Sequence, residues 1–342
     1  MADSSHLMAE VNMADVAQRA GVSLSTVSRA LRGLPGVSAP TRDRVLMIVD
    51  DLSYVVSPEA SRLARRETGR VAVVVPKIDV WFYAAMLSAI EATLHEAELD
   101  VLVYQVDGRD QRSRFFHELP ARRKVDAVVL IALPLLEEEV QRLELLGVEV
   151  VVAGGRIRDL PHVLVDDHDA AAQAVNHLLD LGHTRVAMIR TTDTEGAAWS
   201  SDILRQRGYR DALASRGIPV PPGYLASHPA GVDAGDAAIG TLLELPEPPT
   251  AVFAYSDELA AGAVAAVLRR GLRVPEDVSV IGVDGNPLAA ILGLTTVDQS
   301  VPRQGRLAGQ MALSLLRRES PPRRVVVPCD VVVRRSTGPP PS

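Results

Sequence analysis

From Gly69 onward the chain alternates short β-branched apolar runs with amphipathic stretches, and nothing else in the sequence constrains the fold as tightly. The runs at 71–75, 101–106, 125–131, 148–152, 186–189, 251–255 and 278–283 are apolar almost throughout, as strands covered on both faces must be. Between them, 83–98, 169–181, 257–270 and 303–317 carry apolar residues at helical spacing. Apolar strands separated by helices predict doubly wound parallel sheets. Eleven or so strands exceed one comfortable core, so two lobes are expected. Ligands of such sheets sit beyond the carboxyl ends of the strands, and two facing lobes therefore predict a cleft for a small molecule.

The first seventy residues read differently. The whole chain of 342 residues has a net charge of −7, but residues 1–70 hold nine arginines against eight acids. A near-neutral head thus sits on an acidic body. In the head, Val16, Ala17 and Ala20 share one face of a short helix, and Gly21 stands where a helix stop wants positive φ. Ser23 is placed to cap a second helix whose inner face is Val27, Ala30 and Leu31. Two short helices around a glycine-containing turn predict a helix-turn-helix. Leu24, Ser25, Ser28, Arg29 and Arg32 point outward, and Arg29 can give two hydrogen bonds to a guanine. A third helix is expected to start at Ser38 and to bury Val45, Ile48, Val49 and Leu52. On spacing alone, a generic three-helix bundle with a solvated polar face fits as well.

Residues 57–66 run Ser-Pro-Glu-Ala-Ser-Arg-Leu-Ala-Arg-Arg, with a narrow seam of Ala60, Leu63 and Ala64 flanked by arginines. This is shorter than the roughly 12–15 residues that an isolated helix needs in water. It is either a frayed linker or a helix that forms only when paired, with Leu63 as an apolar wedge for a minor groove.

The ordered set Asp15-Val16-Ala17, Gly21-Val22-Ser23, Thr26-Val27-Ser28-Arg29, Val37-Ser38, Thr41-Arg42, Val45, Leu52, Tyr54 and Ala60…Leu63-Ala64 resembles the head of the lactose-repressor/galactose-repressor family of bacterial transcription regulators. By that resemblance Leu24, Ser25 and Arg29 would read bases. Asn12, Thr26, Ser28, Arg32, Ser38, Thr41, Tyr54 and Ser57 would hold phosphates, and Ala60, Leu63 and Ala64 would form the minor-groove hinge. The body continues the likeness through Val75-Pro76, Phe82-Tyr83, Gly182-His183, Arg205-x-x-Gly208-Tyr209, Ser256-Asp257, Gly282-x-Asp284, Leu294-Thr295-Thr296-Val297 and Arg335-Ser336-Thr337.

The implied architecture is an all-α helix-turn-helix head followed by a periplasmic-binding-protein-like core of two doubly wound lobes. Residues 1–11 would be a disordered arm, 12–56 the head, 57–69 the hinge and linker, and 70–342 the core. The N-lobe would take about 70–165 and 293–325, the C-lobe about 166–292 and 326–342, with the chain crossing three times. The implied function is a ligand-switched repressor, a homodimer or dimer of dimers on near-palindromic operator DNA. Trp81, Phe82, Tyr83, Arg205, Ser256 and Asp284 would contact an effector, a sugar or related metabolite. Arg205 offers a rigid fork of donors and Asp284 a pair of acceptors. Gly154-Gly155, Ser256 and Ala230 are smaller than their counterparts in many relatives, which predicts either a ligand larger than a monosaccharide or one that is not a sugar.

Other chemistries lack their residues. A single cysteine leaves no intramolecular disulfide and no cysteine zinc site. His162, His168, His177 and His183 make no H-E-x-x-H pair, and no nucleophile elbow or cofactor fingerprint occurs, so neither enzyme, metal nor cofactor is expected. There is no signal-peptide pattern and no run of 18 apolar residues, which predicts a cytoplasmic protein away from membranes. A solute-binding protein with the same two-lobe core remains the alternative.

Overall fold

The computed structural model describes residues 12–31, 33–52, 54, 67–118, 120–192, 200–229 and 232–341. The chain forms two compact units, Met1–Glu67 and Thr68–Ser342.

In the first unit, α1 (Met13–Ala20), α2 (Leu24–Leu31) and α3 (Ala39–Asp51) enclose Val16, Ala17, Ala20, Val27, Ala30, Val45 and Tyr54. The Asn12 side-chain oxygen accepts the backbone N–H groups of Ala14 and Asp15, while Asp15 accepts that of Asn12. This reciprocal pair satisfies donors that a helix start leaves open. Gly21, at φ 64°, ends α1. Ser23 Oγ accepts the Thr26 N–H at 3.2 Å. The expected cap at Ser38 is not made: its hydroxyl bonds Thr41 Oγ1 at 2.8 Å instead of a backbone N–H. Of the expected α3 stripe only Val45 is fully buried, and Ile48, Val49 and Leu52 are half-buried, since so small a unit cannot cover a whole helix face.

The second unit runs β1 (Arg70–Val75), α4 (Trp81–His95), β2 (Asp100–Gln105), α5 (Gly108–Glu118), β3 (Ala127–Ile131), α6 (Glu137–Glu144), β4 (Glu149–Ala153), β5 (His162–Leu164), α7 (Asp167–Asp180), β6 (Val186–Thr192) and α8 (Ser200–Ser215). It continues through β7 (Leu225–Pro229), α9 (Val232–Leu243), β8 (Ala251–Ala254), α10 (Asp257–Arg269), β9 (Ser279–Asp284), α11 (Pro287–Leu292), β10 (Thr295–Asp298), α12 (Val301–Leu316), β11 (Arg324–Val326) and β12 (Asp330–Val332). Two six-stranded sheets result, ordered β11-β5-β4-β3-β1-β2 and β12-β10-β9-β8-β6-β7. All pairs are parallel except β10 with β12.

Strand periodicity divides each core in two. In β1, Val71, Val73 and Val75 pack beneath α4 and α12, while Ala72 and Val74 pack beneath α5 and α6. The second sheet is sandwiched likewise between α9–α10 and α7–α8. Each fully buried valine contributes about 1.5–3 kcal/mol, so strands covered on both faces hold the two layers together.

The structure moves one lobe boundary. Residues 293–298 belong to the second lobe, not the first: β10 pairs in parallel with β9, Thr295 opposite Ile281 and Asp298 opposite Asp284. The chain therefore crosses at 299–300, not at the Leu294-Thr295-Thr296 run. The pairing has a plain cause, because Thr295, Thr296 and Val297 are buried and continue the ladder of β9. The other crossings lie at 165–166 and 327–329, between strands of different sheets. Among the described residues no helix is long and apolar enough to span a membrane.

Candidate functional site

In the head, α2 presents one polar face. Leu24, Ser25 and Arg29 are exposed, Leu24 at 52%, while Val27 and Ala30 face the core. Ser23 Oγ bonds the hydroxyls of Ser25 and Thr26 at 2.8 and 2.9 Å, which tethers the start of the helix. Ser28 lies half-buried on the same side. The oxygen of Asn12 is spent on its cap, and Ser38 and Thr41 bond each other. Tyr54 is only 8% exposed, so its ring is core and little beyond its tip is presented outward. Arg32, Ser57, Ala60, Leu63 and Ala64 lie outside the described residues.

The body holds a cavity of about 90 Å³ between the lobes. Its wall includes residues at or just past the carboxyl ends of β1, β2, β3, β4 and β5 on one side and β6, β8, β9 and β10 on the other. Arg205, on α8, is 3% exposed and reaches into it. Its Nε donates to Asp167 Oδ1 at 2.8 Å, a second nitrogen donates to the Tyr255 carbonyl, and the guanidinium lies 4.5 Å from the Tyr255 ring centroid. Burial works against its charge, but Asp167, Tyr255 and Asp284 together outweigh that and hold the pKa above the ordinary arginine range.

Asp284 ends β9 at 6% exposure and lines the same cavity. Its Oδ1 accepts the Gln299 amide at 2.7 Å. Burial, reinforced by Asp257, pushes its carboxyl well above the usual range. Its φ of 140° is one that L side chains rarely adopt, a strain that folds tend to keep where a side chain must be aimed. Arg205 and Asp284 thus share one cavity wall. Each is a buried group fixed by its own partner.

Phe82 and Tyr83 line the cavity as an edge-on pair with centroids 5.3 Å apart. Trp81 does not. It packs on the core of the first lobe, and its backbone N–H, the first of α4, donates to Glu258 Oε1 at 3.2 Å. A tryptophan one position before Phe82 on a helix points about 100° away, which explains the difference. Ser256 lines the cavity, but its hydroxyl caps α10 by accepting the Leu259 N–H at 3.3 Å.

The expected extra room is absent around Gly154. This glycine has φ 69°, and an added Cβ would come within 3.0 Å of Phe82 Cζ. The missing side chain makes space for Phe82, not for a larger ligand. Ala230 lies outside the described residues.

Asp167, Tyr255, Glu258 and Gln299 complete the wall and were not singled out by sequence. No spacing connects Asp167 to Arg205, 38 positions away. The usable signal was position, since each follows closely on a strand's carboxyl end or a crossing. The four histidines noted above have other partners: His162 meets the Leu160 carbonyl, His168 Asp211, His177 Thr337, and His183 both Thr250 and Ser279.

Residues 12–57 match the family model described as bacterial regulatory proteins, lacI family, and 175–337 match a periplasmic binding protein-like domain. The catabolite control protein A of Priestia megaterium is 31% identical over 332 residues, 96% of this chain and 99% of its own. The HTH-type transcriptional repressor CytR of Escherichia coli K12 is 33% identical over 332 residues, covering 95% and 96%. Among solved structures, the transcriptional regulator CelR in complex with cellobiose superposes with a TM-score of 0.70 at 29% identity, covering 95% of this chain and 99% of that one. The lac repressor dimer bound to operator and the anti-inducer ONPF reaches 0.85 at 24% identity, covering 96% and 100%, a likeness of fold.

Proposed function

Because the chain belongs to the LacI family of bacterial regulatory proteins, we propose that it represses transcription from a near-palindromic operator as a cytoplasmic homodimer or dimer of dimers, under the control of a sugar or related metabolite held between its lobes. The chain is a DNA-binding transcription regulator and not an enzyme. The single observation that carries the effector reading is the buried Arg205 and Asp284 meeting in one cavity at the carboxyl ends of two facing sheets. A family relative with cellobiose in complex supports the ligand class.

On the DNA side, Leu24, Ser25 and Arg29 read base edges in the major groove, and the exposed face of α2 supports that role. Asn12, Thr26, Ser28, Arg32, Ser38, Thr41, Tyr54 and Ser57 hold phosphates, Tyr54 through its hydroxyl alone. Ala60, Leu63 and Ala64 pair across the two-fold axis, with Leu63 entering the minor groove. Phe82 and Tyr83 cover one face of the ligand ring while Arg205 and Asp284 bracket its hydroxyls. Ser256 acts through its cap, and Trp81 supports from behind. A solute-binding protein without a regulatory role has no use for residues 12–57, which match the family's DNA-binding head.

The test is selection of binding sites by the full chain from a random pool of DNA duplexes. Enrichment of one near-palindromic sequence is expected, and recovery of no common site would overturn the reading.

A further inference from the structure

The charges around the cleft say what kind of ligand it accepts. Two cations line it, and each faces a carboxylate: Lys77 Nζ lies 3.9 Å from Asp107, and Arg205 Nε 2.8 Å from Asp167. Two more carboxylates line it, Glu258 and Asp284, and these are met by neutral donors, the Trp81 N–H and the Gln299 amide. The wall therefore carries two carboxyl groups beyond its ion pairs, Asp284 pushed toward its neutral form by burial and Glu258.

Glu258 has a particular place. Helix α4 begins at the carboxyl edge of its sheet, where a helix start attracts anions. Its own N-cap is Val80, which gives no side-chain cap, and its first turn contains no acid. Glu258 comes from α10 in the opposite lobe and sets Oε1 3.2 Å from the first N–H of α4. The spot that this fold would offer a phosphate already holds a carboxylate of the protein.

We propose that the cleft selects an uncharged ligand of a single sugar-sized ring, and that Glu258 is the residue that turns anions away. The proposal rests on the effector reading above. Size supports it, since Phe82 takes the room beside Gly154 and leaves none there for a second ring. Asp284 supports it as well. A carboxyl pushed toward its neutral form by burial can donate to a hydroxyl oxygen but gives a phosphate no counter-charge.

Thermal shift and calorimetry on the full chain test this with neutral pentoses and hexoses, their phosphate esters, and cellobiose. The expected result is stabilisation by a neutral monosaccharide, with its phosphate ester and the disaccharide at least about tenfold weaker. Glu258→Gln keeps an acceptor for the Trp81 N–H and removes the charge, and it should narrow the gap between ester and neutral sugar by roughly tenfold. A phosphate ester that binds the wild type as tightly as its parent sugar overturns the proposal. So does an unchanged gap in Glu258→Gln, which would remove Glu258 from the selection. Binding by no member would overturn the ligand class, and operator selection, measured separately, would still report on the regulator itself.

Discussion

Gly154, Arg205 and Asp257 each show how one residue type is dictated by its surroundings. Gly154 holds φ 69° against the Phe82 ring. Gly154→Ala should cost about 1–2 kcal/mol in urea unfolding, part backbone and part crowding, and less in a Phe82→Leu background where the crowding is gone. Arg205 and Asp167 form a buried pair, so Arg205→Ala strands a carboxylate. A loss of about 3 kcal/mol is expected, together with disappearance of any sugar-induced rise in melting temperature. Asp257, 3% exposed, has its pKa raised from an ordinary 3.8 to about 6, chiefly by burial, with Thr296 and the Asn286 N–H pulling the other way. Between those pH values the folded chain keeps a proton that the unfolded chain releases. The stability contributed by the protonated form is complete below 3.8 and is lost as pH rises through 6. Asp257→Asn cannot titrate, so its stability relative to wild type should climb across that window by about 3 kcal/mol and then level off, as paired urea titrations would read.

At the scale of elements, legibility followed burial. The strands of both lobes announce themselves because a parallel sheet covered on two faces forces β-branched runs, and α1 and α2 because three or four apolar residues fix a helix face. The lone departure in topology, β10 joining the second sheet, was hidden since Leu294-Thr295-Thr296-Val297 reads equally well as a strand or a crossover. The short strands β5, β11 and β12, three residues each, carry too little pattern to register. In the cleft, Arg205, Asp284, Phe82 and Tyr83 were legible by family likeness, whereas Asp167, Gln299 and Glu258 act through distant partners that no local spacing encodes. For the DNA elements, Arg29→Ala should weaken operator binding by about 1–3 kcal/mol and relax preference at one base pair of each half-site, as anisotropy titrations against single-base variants would read. Leu63→Ala should cost a few kcal/mol at most in operator affinity and leave sugar affinity of the free protein nearly intact, and unchanged operator affinity would exclude Leu63 from the mechanism.

Taken whole, the chain is a device for coupling. The lobes are joined by connecting segments at 165–166, 299–300 and 327–329, and by the Glu258 to Trp81 hydrogen bond across the cleft. Under the proposed reading, a ligand bridging Arg205 and Asp284 to Phe82 and Tyr83 would change the balance between open and closed lobes. Under the proposed reading, that shift in a dimer would act on the two 57–66 stretches, whose ten residues fall short of what an isolated helix needs in water. The claim beneath this is that cleft and head draw on one equilibrium, with a coupling typically of 5–150-fold. The direct measurement is operator affinity of the full chain with and without saturating sugar, set beside sugar affinity with and without saturating operator. The account predicts that both change by the same factor. Operator affinity indifferent to a sugar that binds the cleft, or two factors that differ beyond error, would contradict it.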